Sequence, residues 1–210
     1  MFEKNWLFSE NTSPHSTHGI IPHFVPPGSR VLDVGCNTGV MGAILKRHKC
    51  ISDGIDINEE ALKEAKKHYR HLFKRDLQSG KFDIQNERYD VIIFADVLEH
   101  LTRPDQLLDD CKKYLNKDGI IIISLPNVAR FEVRLHLLSG KFEYTETGSL
   151  ARDHLRFFTL KTGRELIENS GFTIIHTVPT GLGHKLKVLP TLTAYQFIFV
   201  ARKNDEPIGT

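Results

Sequence analysis

The chain has 210 residues, enough for one domain of ordinary to generous size with a buried sheet and flanking helices. Its 28 Lys and Arg residues and 26 Asp and Glu residues give a net charge of +2. No long block of one sign occurs, which argues against a nucleic-acid binder, because such proteins rely on clustered cations. Three cysteines without metal-ligand spacing and the lack of a long apolar stretch predict a soluble, cytoplasmic protein without a membrane span.

The elements predicted along the first 125 residues alternate between short apolar runs and segments with helical spacing. The predicted order is strand 31–34, helix 39–48, strand 51–57, helix 59–69 capped by Asn58, strand 91–95, helix 104–115 and strand 119–125. Apolar runs without alternation are typical of strands buried on both faces. The sequence therefore predicts a doubly wound α/β fold with a mostly parallel sheet.

The last quarter of the chain has a different character. A helix is predicted from Leu160 to Asn169, where Ser170 and Gly171 end it. The segments FTIIHTV and AYQFIFVAR follow as two strands around a polar stretch with no helical pattern. A direct connection of this kind predicts that the two strands are antiparallel.

The segment VLDVGCNTG, residues 31–39, lies where a parallel sheet binds ligands, at the turn from the first strand into a helix. Gly35 and Gly39 allow a ligand to approach the backbone closely. A dinucleotide fingerprint would also require glycine at positions 37 and 40, which are Asn37 and Val40. The carboxylate of Asp33 suits a cofactor with an ammonium and a sulfonium better than a pyrophosphate.

Three further motifs follow this loop in order: GIDI at residues 54–57, RDL at 75–77, and YDVIIFADVLEHLTRPDQLL from residue 89. With the loop, they make the chain resemble class I S-adenosylmethionine-dependent methyltransferases, in particular ubiquinone-type O-methyltransferases. The resemblance implies a seven-stranded Rossmann-like sheet with an antiparallel C-terminal strand and helices on both faces. It also implies S-adenosyl-L-methionine as the cofactor.

The resemblance assigns a cofactor role to residues in each motif. Asp33 would support the amino group of the methionine moiety, Asp56 would hold both ribose hydroxyls, and Asp76 would accept from the adenine amino group. The remaining cofactor-binding residues would shape the turn, pack on adenine or line the gap to the acceptor: Gly35, Cys36, Asn37, Gly39, Ile57, Leu77, Ala95 and Asp96. Asn37 departs from the family, which usually has a third glycine there, and asparagine adopts a left-handed backbone more readily than most residues.

Two histidines are predicted as the base that would take a proton from a hydroxyl acceptor. His100 lies in DVLEHL and matches the Glu-His of the resembling O-methyltransferases, and His154 lies in ARDHLRFF. For either histidine, a structural role, such as a hydrogen bond to the main chain or a helix cap, is as compatible with the sequence as the role of a base. Glu99 and Asp96 would orient His100 or contact the cofactor. The sulfonium is already a strong electrophile, so no metal is predicted.

The segment between the fifth strand and the last helix, residues 126–158, is predicted to bind the acceptor. Arg130 and Arg134 share one helical face, and Arg156 lies two residues after His154. These arginines suggest a small-molecule acceptor with an anionic group, unless they pair with neighbouring acids or face solvent. The predicted organisation is an arm or lid over residues 1–28, a methyltransferase domain over 29–203 and a tail over 204–210.

Two other classes of protein remain compatible with the sequence. One is an accessory or regulatory protein that binds the cofactor without turnover. The other is an NAD-dependent oxidoreductase, against which Asn37 and Val40 argue.

Overall fold

The structure, a computed structural model, describes residues 13–84, 87–186 and 189–204. Seven strands form one sheet in the order β3-β2-β1-β4-β5-β7-β6. They are β1 Arg30–Val34, β2 Ile51–Asp56, β3 Leu72–Lys74, β4 Tyr89–Ala95, β5 Leu115–Pro126, β6 Phe172–Pro179 and β7 Gln196–Lys203. The strands β1 to β5 pair in parallel, whereas β7 runs antiparallel to both of its neighbours. The predicted doubly wound fold with one antiparallel C-terminal strand is confirmed.

Eight α-helices occur in the described part of the chain. They are α1 Thr17–Ile20, α2 Val40–Arg47, α3 Glu59–Ala65, α4 Pro104–Cys111, α5 Phe131–Leu138, α6 Leu160–Asn169, α7 Leu182–Leu186 and α8 Pro190–Thr193. Short 3₁₀ helices cover Ile21–Phe24, Leu77–Ser79, Leu98–His100 and Lys112–Tyr114. None of these helices is long and apolar enough to cross a bilayer.

Alternate residues of the central strands supply two separate cores, one on each face of the sheet. Ile92 and Phe94 of β4 belong to the larger cluster, with helix residues such as Leu107. Val91 and Ile93 belong to the other cluster. Burial on both faces explains why these strands are continuous apolar runs in the sequence.

The described part of the predicted N-terminal arm packs against the sheet. Ile20, Ile21 and Val25 are buried in the cluster on the second face of the sheet. The main-chain N–H of Gly181 donates to the carbonyl of His15 at 2.7 Å, which joins the arm to the loop after β6. Residues 1–12 lie outside the described residues, and the assignment of residues 1–28 as an arm or lid stays a prediction.

Several elements differ from their sequence predictions; for example, α4 ends at Cys111 rather than at 115, and β5 begins at Leu115 rather than at 119. The prediction of no helix between the last two strands is wrong, because α7 and α8 lie there. They have five and four residues, too few to show a helical period. Helix α3 ends at Ala65 rather than at Tyr69, and Tyr69, beyond the helix, is buried and donates its hydroxyl to Asp33. Strand β3 was not predicted and has only three residues.

Candidate functional site

The turn after β1 is held against β2 by main-chain hydrogen bonds. The N–H groups of Gly35 and Cys36 both donate to the carbonyl of Ile55, at 2.8 and 2.9 Å. Gly35 has φ +76°, and a Cβ at this position would lie 2.5 Å from Cγ2 of Val97. Glycine is therefore required by both backbone conformation and packing. The Cys36 side chain is buried, and burial raises the pKa of its thiol, which argues against a nucleophilic role.

Asn37 occupies the left-handed region, with φ +45°, as expected of the residue that replaces a glycine in this turn. Its main-chain N–H donates to one carboxylate oxygen of Asp56 at 2.8 Å. The other oxygen of Asp56 accepts from the N–H of Asn58 at 2.9 Å. The carboxylate at the end of β2 is thus fixed beside the glycine turn, and each oxygen retains a lone pair for a further donor.

The residues predicted to surround adenine lie in the next loops. Ile57 follows Asp56 directly and is 58% exposed, an apolar surface at the edge of the sheet. Asp76 is exposed and caps the 3₁₀ helix 77–79 by accepting from the N–H of Gln78 at 2.9 Å. Leu77 is buried in the core. The helix cap occupies one oxygen of Asp76, and its other oxygen can accept from a further donor.

Asp33 is a buried carboxylate at the base of the turn. It accepts a hydrogen bond from the hydroxyl of Tyr69, which itself accepts from the N–H of Gly42 at 3.0 Å. Burial raises the pKa of Asp33 to about 6; the Tyr69 hydrogen bond opposes this rise and the charge of Asp56 adds to it. The side chain thus changes charge within a pH range in which the protein can be studied.

The pKa of Asp33 predicts a pH-dependent cofactor affinity, on the proposal that its carboxylate faces the methionine ammonium. With a pKa near 6, only about one tenth of the carboxylate is ionised at pH 5. Binding of S-adenosylhomocysteine should then be up to about 10-fold weaker at pH 5 than at pH 7.5. Calorimetric titration at both values tests this dependence, which Asp33→Asn should abolish. An unchanged pH profile in Asp33→Asn would contradict the role.

Asp96, just after β4, is held in a left-handed conformation with φ +58°. One carboxylate oxygen accepts from the Ser124 hydroxyl at 2.5 Å and from the Gln196 amide at 2.8 Å. The N–H of Asp96 donates back to Ser124 at 2.9 Å. In helix α1, burial lowers the pKa of His18, and the charge of Asp96 opposes this effect. Ala95 and Asp96 therefore lie where β4, β5, β7 and the arm meet.

Glu99, His100 and His154 form a cluster beside this point. One ligand atom from each residue lies within 4.8 Å of those of the other two, and the imidazole rings have centroids 4.9 Å apart at 78°. The two carboxylate oxygens of Glu99 have no hydrogen-bond partner among the described residues, and the same is true of Nδ1 of His154. Burial raises the pKa of Glu99 well above its usual value, and Asp96 adds to the shift. Burial and His100 lower the pKa of His154.

The predicted acceptor-binding arginines each contact a neighbouring group of the protein. Arg130 forms a two-point ion pair with Glu132 and lies over the Tyr195 ring at 4.5 Å. Arg134 donates to the carbonyl of Ala129, and Arg156 donates to that of Thr102. These contacts favour the local-pairing interpretation of the arginines over a free anion-binding cluster.

Several groups that shape this site cannot be identified from the sequence alone. Tyr69, Ser124, Gln196 and His18 are contributed by separate segments and carry no local motif. Only their contacts with Asp33 and Asp96 reveal them. Pairing of β5 with β7 places Ser124 opposite Ile198, two residues from Gln196, and a register of this kind cannot be predicted from spacing alone.

Solved structures share this fold at low sequence identity. A SAM-dependent methyltransferase from Archaeoglobus fulgidus aligns with a TM-score of 0.65 at 19% identity, covering 87% of this chain and 89% of the other. Magnesium protoporphyrin IX methyltransferase from Synechocystis PCC 6803 aligns with a TM-score of 0.62 at 20% identity, covering 88% and 78%. The fold is that of class I methyltransferases.

The family model described as a methyltransferase domain matches residues 16–177. The chain belongs to this methyltransferase family, which confirms the predicted class and its cofactor, S-adenosylmethionine. Among curated relatives, a ubiquinone biosynthesis O-methyltransferase of Actinobacillus pleuropneumoniae is 32% identical over 109 residues, or 48% of this chain and 47% of the relative. A homologue of the same name from Coxiella burnetii is 24% identical over 70% of this chain and 65% of its own length. The match thus spans about half the length of the first of these relatives.

Proposed function

We propose that this chain transfers a methyl group from S-adenosylmethionine to a hydroxyl oxygen of a small-molecule acceptor. The observation that carries the proposal is the placement of the Glu99, His100 and His154 cluster next to Asp96, at the edge where the cofactor turn lies. A polar cluster that can remove a proton suits an oxygen acceptor, since a hydroxyl must lose its proton on methylation. The names of the curated relatives also favour oxygen.

The cofactor would be held by groups that the fold has already fixed. Asp56, oriented by the N–H groups of Asn37 and Asn58, would accept from the two ribose hydroxyls. Asp33 would face the ammonium group below the glycine turn. The exposed side chain of Ile57 would pack on the adenine ring, and Asp76 would accept from its amino group. These roles use groups that need little rearrangement on binding, which favours affinity.

The reaction requires positioning more than activation, because the cofactor supplies a methyl group on a positively charged sulfur. The acceptor oxygen forms a bond to the methyl carbon as the carbon–sulfur bond breaks, and S-adenosylhomocysteine leaves as a neutral thioether. The acceptor proton passes to the Glu99, His100 and His154 cluster. Asp96, fixed by Ser124 and Gln196, would orient the acceptor along the line of the breaking bond.

Incubation of the protein with S-adenosylmethionine carrying a ¹³C-methyl group and fractionated cell metabolites tests this function. We expect a new methyl resonance in the range of an O-methyl group, together with formation of S-adenosylhomocysteine. A labelled N-methyl or C-methyl product would contradict the oxygen acceptor. Binding of the cofactor without product in any fraction would instead identify an accessory protein.

An anionic group on the acceptor remains a narrower hypothesis. It requires that Arg130 and Arg156 leave their present partners, Glu132 and the Thr102 carbonyl, when the acceptor binds. The double variant Arg130→Ala with Arg156→Ala should then raise KM for the acceptor about 10-fold or more, at unchanged cofactor affinity. Unchanged KM would exclude the anionic group.

A further inference from the structure

Glu99 is a buried carboxylate that lies beside two histidines. Its side chain is almost completely inaccessible, with 1% exposure, and neither oxygen accepts a hydrogen bond from the described residues. Its carbonyl, by contrast, accepts from the N–H groups of Leu155 and Arg156 at 2.8 and 3.0 Å. Burial of a carboxylate without compensation is costly, so a buried acid of this kind usually pairs with a cation or coordinates a metal.

The two imidazoles nearest to Glu99 are arranged as metal ligands often are. Nδ1 of His100 lies 3.1 Å from the carbonyl of Asp153, so its proton can be donated there and Nε2 is left with a free lone pair. The carboxylate of Asp153 is 3.5 Å from the same nitrogen. A second ring nitrogen bonded to a carbonyl or carboxylate is the usual support for a ligating histidine. His154 adds a buried Nδ1 that has no hydrogen-bond partner in the described part of the chain.

The spacing of these atoms also fits an ion. All three ligand atoms lie within 4.8 Å of one another, and the ligands of a tetrahedral ion at about 2.1 Å would be roughly 3.4 Å apart. Side-chain rotations that move each ligand atom by up to about 1 Å would bring the three atoms to coordination distance. The two histidines come from distant segments, which the main-chain hydrogen bonds to Glu99 hold together.

We propose that Glu99, His100 and His154 bind one divalent transition-metal ion, with Zn²⁺ as the ion best suited to this set of one oxygen and two nitrogen ligands. Three protein ligands leave an open position, as in catalytic rather than structural zinc sites. With the metal bound, the acceptor hydroxyl would occupy that position and the metal would lower its pKa, so that its proton would leave to solvent and the three ligands would not serve as the base. This last role rests on the proposed function, but metal binding itself does not. The sequence had suggested that no metal is needed.

Metal binding can be measured without any acceptor. The protein is dialysed against a chelator, then titrated with Zn²⁺ by calorimetry and analysed for bound metal after removal of free ions. We expect one saturable site per chain and an increase in melting temperature on addition of Zn²⁺. Mg²⁺, which prefers oxygen ligands, should bind at least 10-fold more weakly.

The variants Glu99→Gln and His100→Asn should each weaken Zn²⁺ binding by 10-fold or more. His136→Asn, which alters an exposed histidine of α5, serves as the matched control and should bind like the unaltered protein. Circular dichroism establishes whether each variant is folded. Because two ligand variants are used, the test can still be made if one of them does not fold. Equal Zn²⁺ affinity in Glu99→Gln, His100→Asn and the control would overturn the proposal, as would the absence of saturable binding to the folded protein. Zn²⁺ binding without methyl transfer would leave the metal site supported and refute the proposed function.

Discussion

Asp56→Asn is expected to weaken binding of S-adenosylhomocysteine about 100-fold, with little change in the free energy of unfolding. The carboxylate stands at the end of β2 with both oxygens oriented by main-chain N–H groups. On the proposed site it accepts from two ribose hydroxyls, and hydrogen bonds to a charged acceptor contribute about 1.5–3 kcal/mol each. Loss of about 2.8 kcal/mol corresponds to 100-fold in the dissociation constant. Calorimetric titration of both proteins with S-adenosylhomocysteine measures this change in the dissociation constant directly.

Asn58→Ala is the matched control for Asp56→Asn. Asn58 caps α3 by accepting from the N–H groups of Glu60 and Ala61, while its own N–H, which the substitution retains, donates to Asp56. This variant should lose about 1 kcal/mol of stability and keep its affinity for S-adenosylhomocysteine within about 3-fold. If the control loses as much affinity as Asp56→Asn, the effect comes from the shape of the loop and not from the carboxylate.

Asp53→Ala should have the largest effect on stability. Asp53 lies three residues before Asp56 on the same strand but is completely buried. Its oxygens accept from Nε and Nη2 of Arg70 at 3.0 and 2.5 Å, from the Tyr89 hydroxyl at 2.9 Å and from the N–H of His71 at 3.1 Å. Removal of the carboxylate leaves these donors unpaired, and loss of one member of a buried ion pair costs about 3–5 kcal/mol. Since Arg70 is partly exposed, we expect a loss of about 3 kcal/mol.

Urea unfolding of Asp53→Ala measures this change. Asp109→Ala is the control, because Asp109 is an exposed acid paired with Lys112 and its loss should change the unfolding free energy by less than about 0.5 kcal/mol. Burial raises the pKa of Asp53, but hydrogen bonds from Arg70 and Tyr89 outweigh it and lower the pKa overall. Stability from this group is therefore present at neutral pH and lost as the pH falls below about 4. A loss below 1 kcal/mol in Asp53→Ala would contradict the role of the network.

The central fold was predictable because its signals are local. The apolar runs of β1, β4 and β5 are long enough to identify buried parallel strands, and Asn58 marks the start of α3 as predicted. Elements that depend on distant partners escaped prediction. Strand β3 has three residues and gains its place only by pairing with β2, and α7 and α8 are single turns between β6 and β7.

In the candidate site too, residues of local motifs could be predicted from the sequence, whereas contacts between distant segments could not. Asp33, Gly35 and Asp56 belong to short motifs at strand ends, so their approach to one another follows from the parallel sheet. The bond from Tyr69 to Asp33 and those from Ser124 and Gln196 to Asp96 depend on register and on where a helix ends. His100 and His154 were recognised singly, but their proximity to each other and to the buried Glu99 required the three-dimensional structure.

A crystal structure of the protein with S-adenosylhomocysteine would show the place and orientation of the bound cofactor product. We expect both ribose hydroxyls within hydrogen-bond distance of Asp56, the adenine ring against Ile57, and the amino group on the Asp33 side of the glycine turn. A ligand bound elsewhere, or a ribose turned away from Asp56, would contradict the proposed cofactor site.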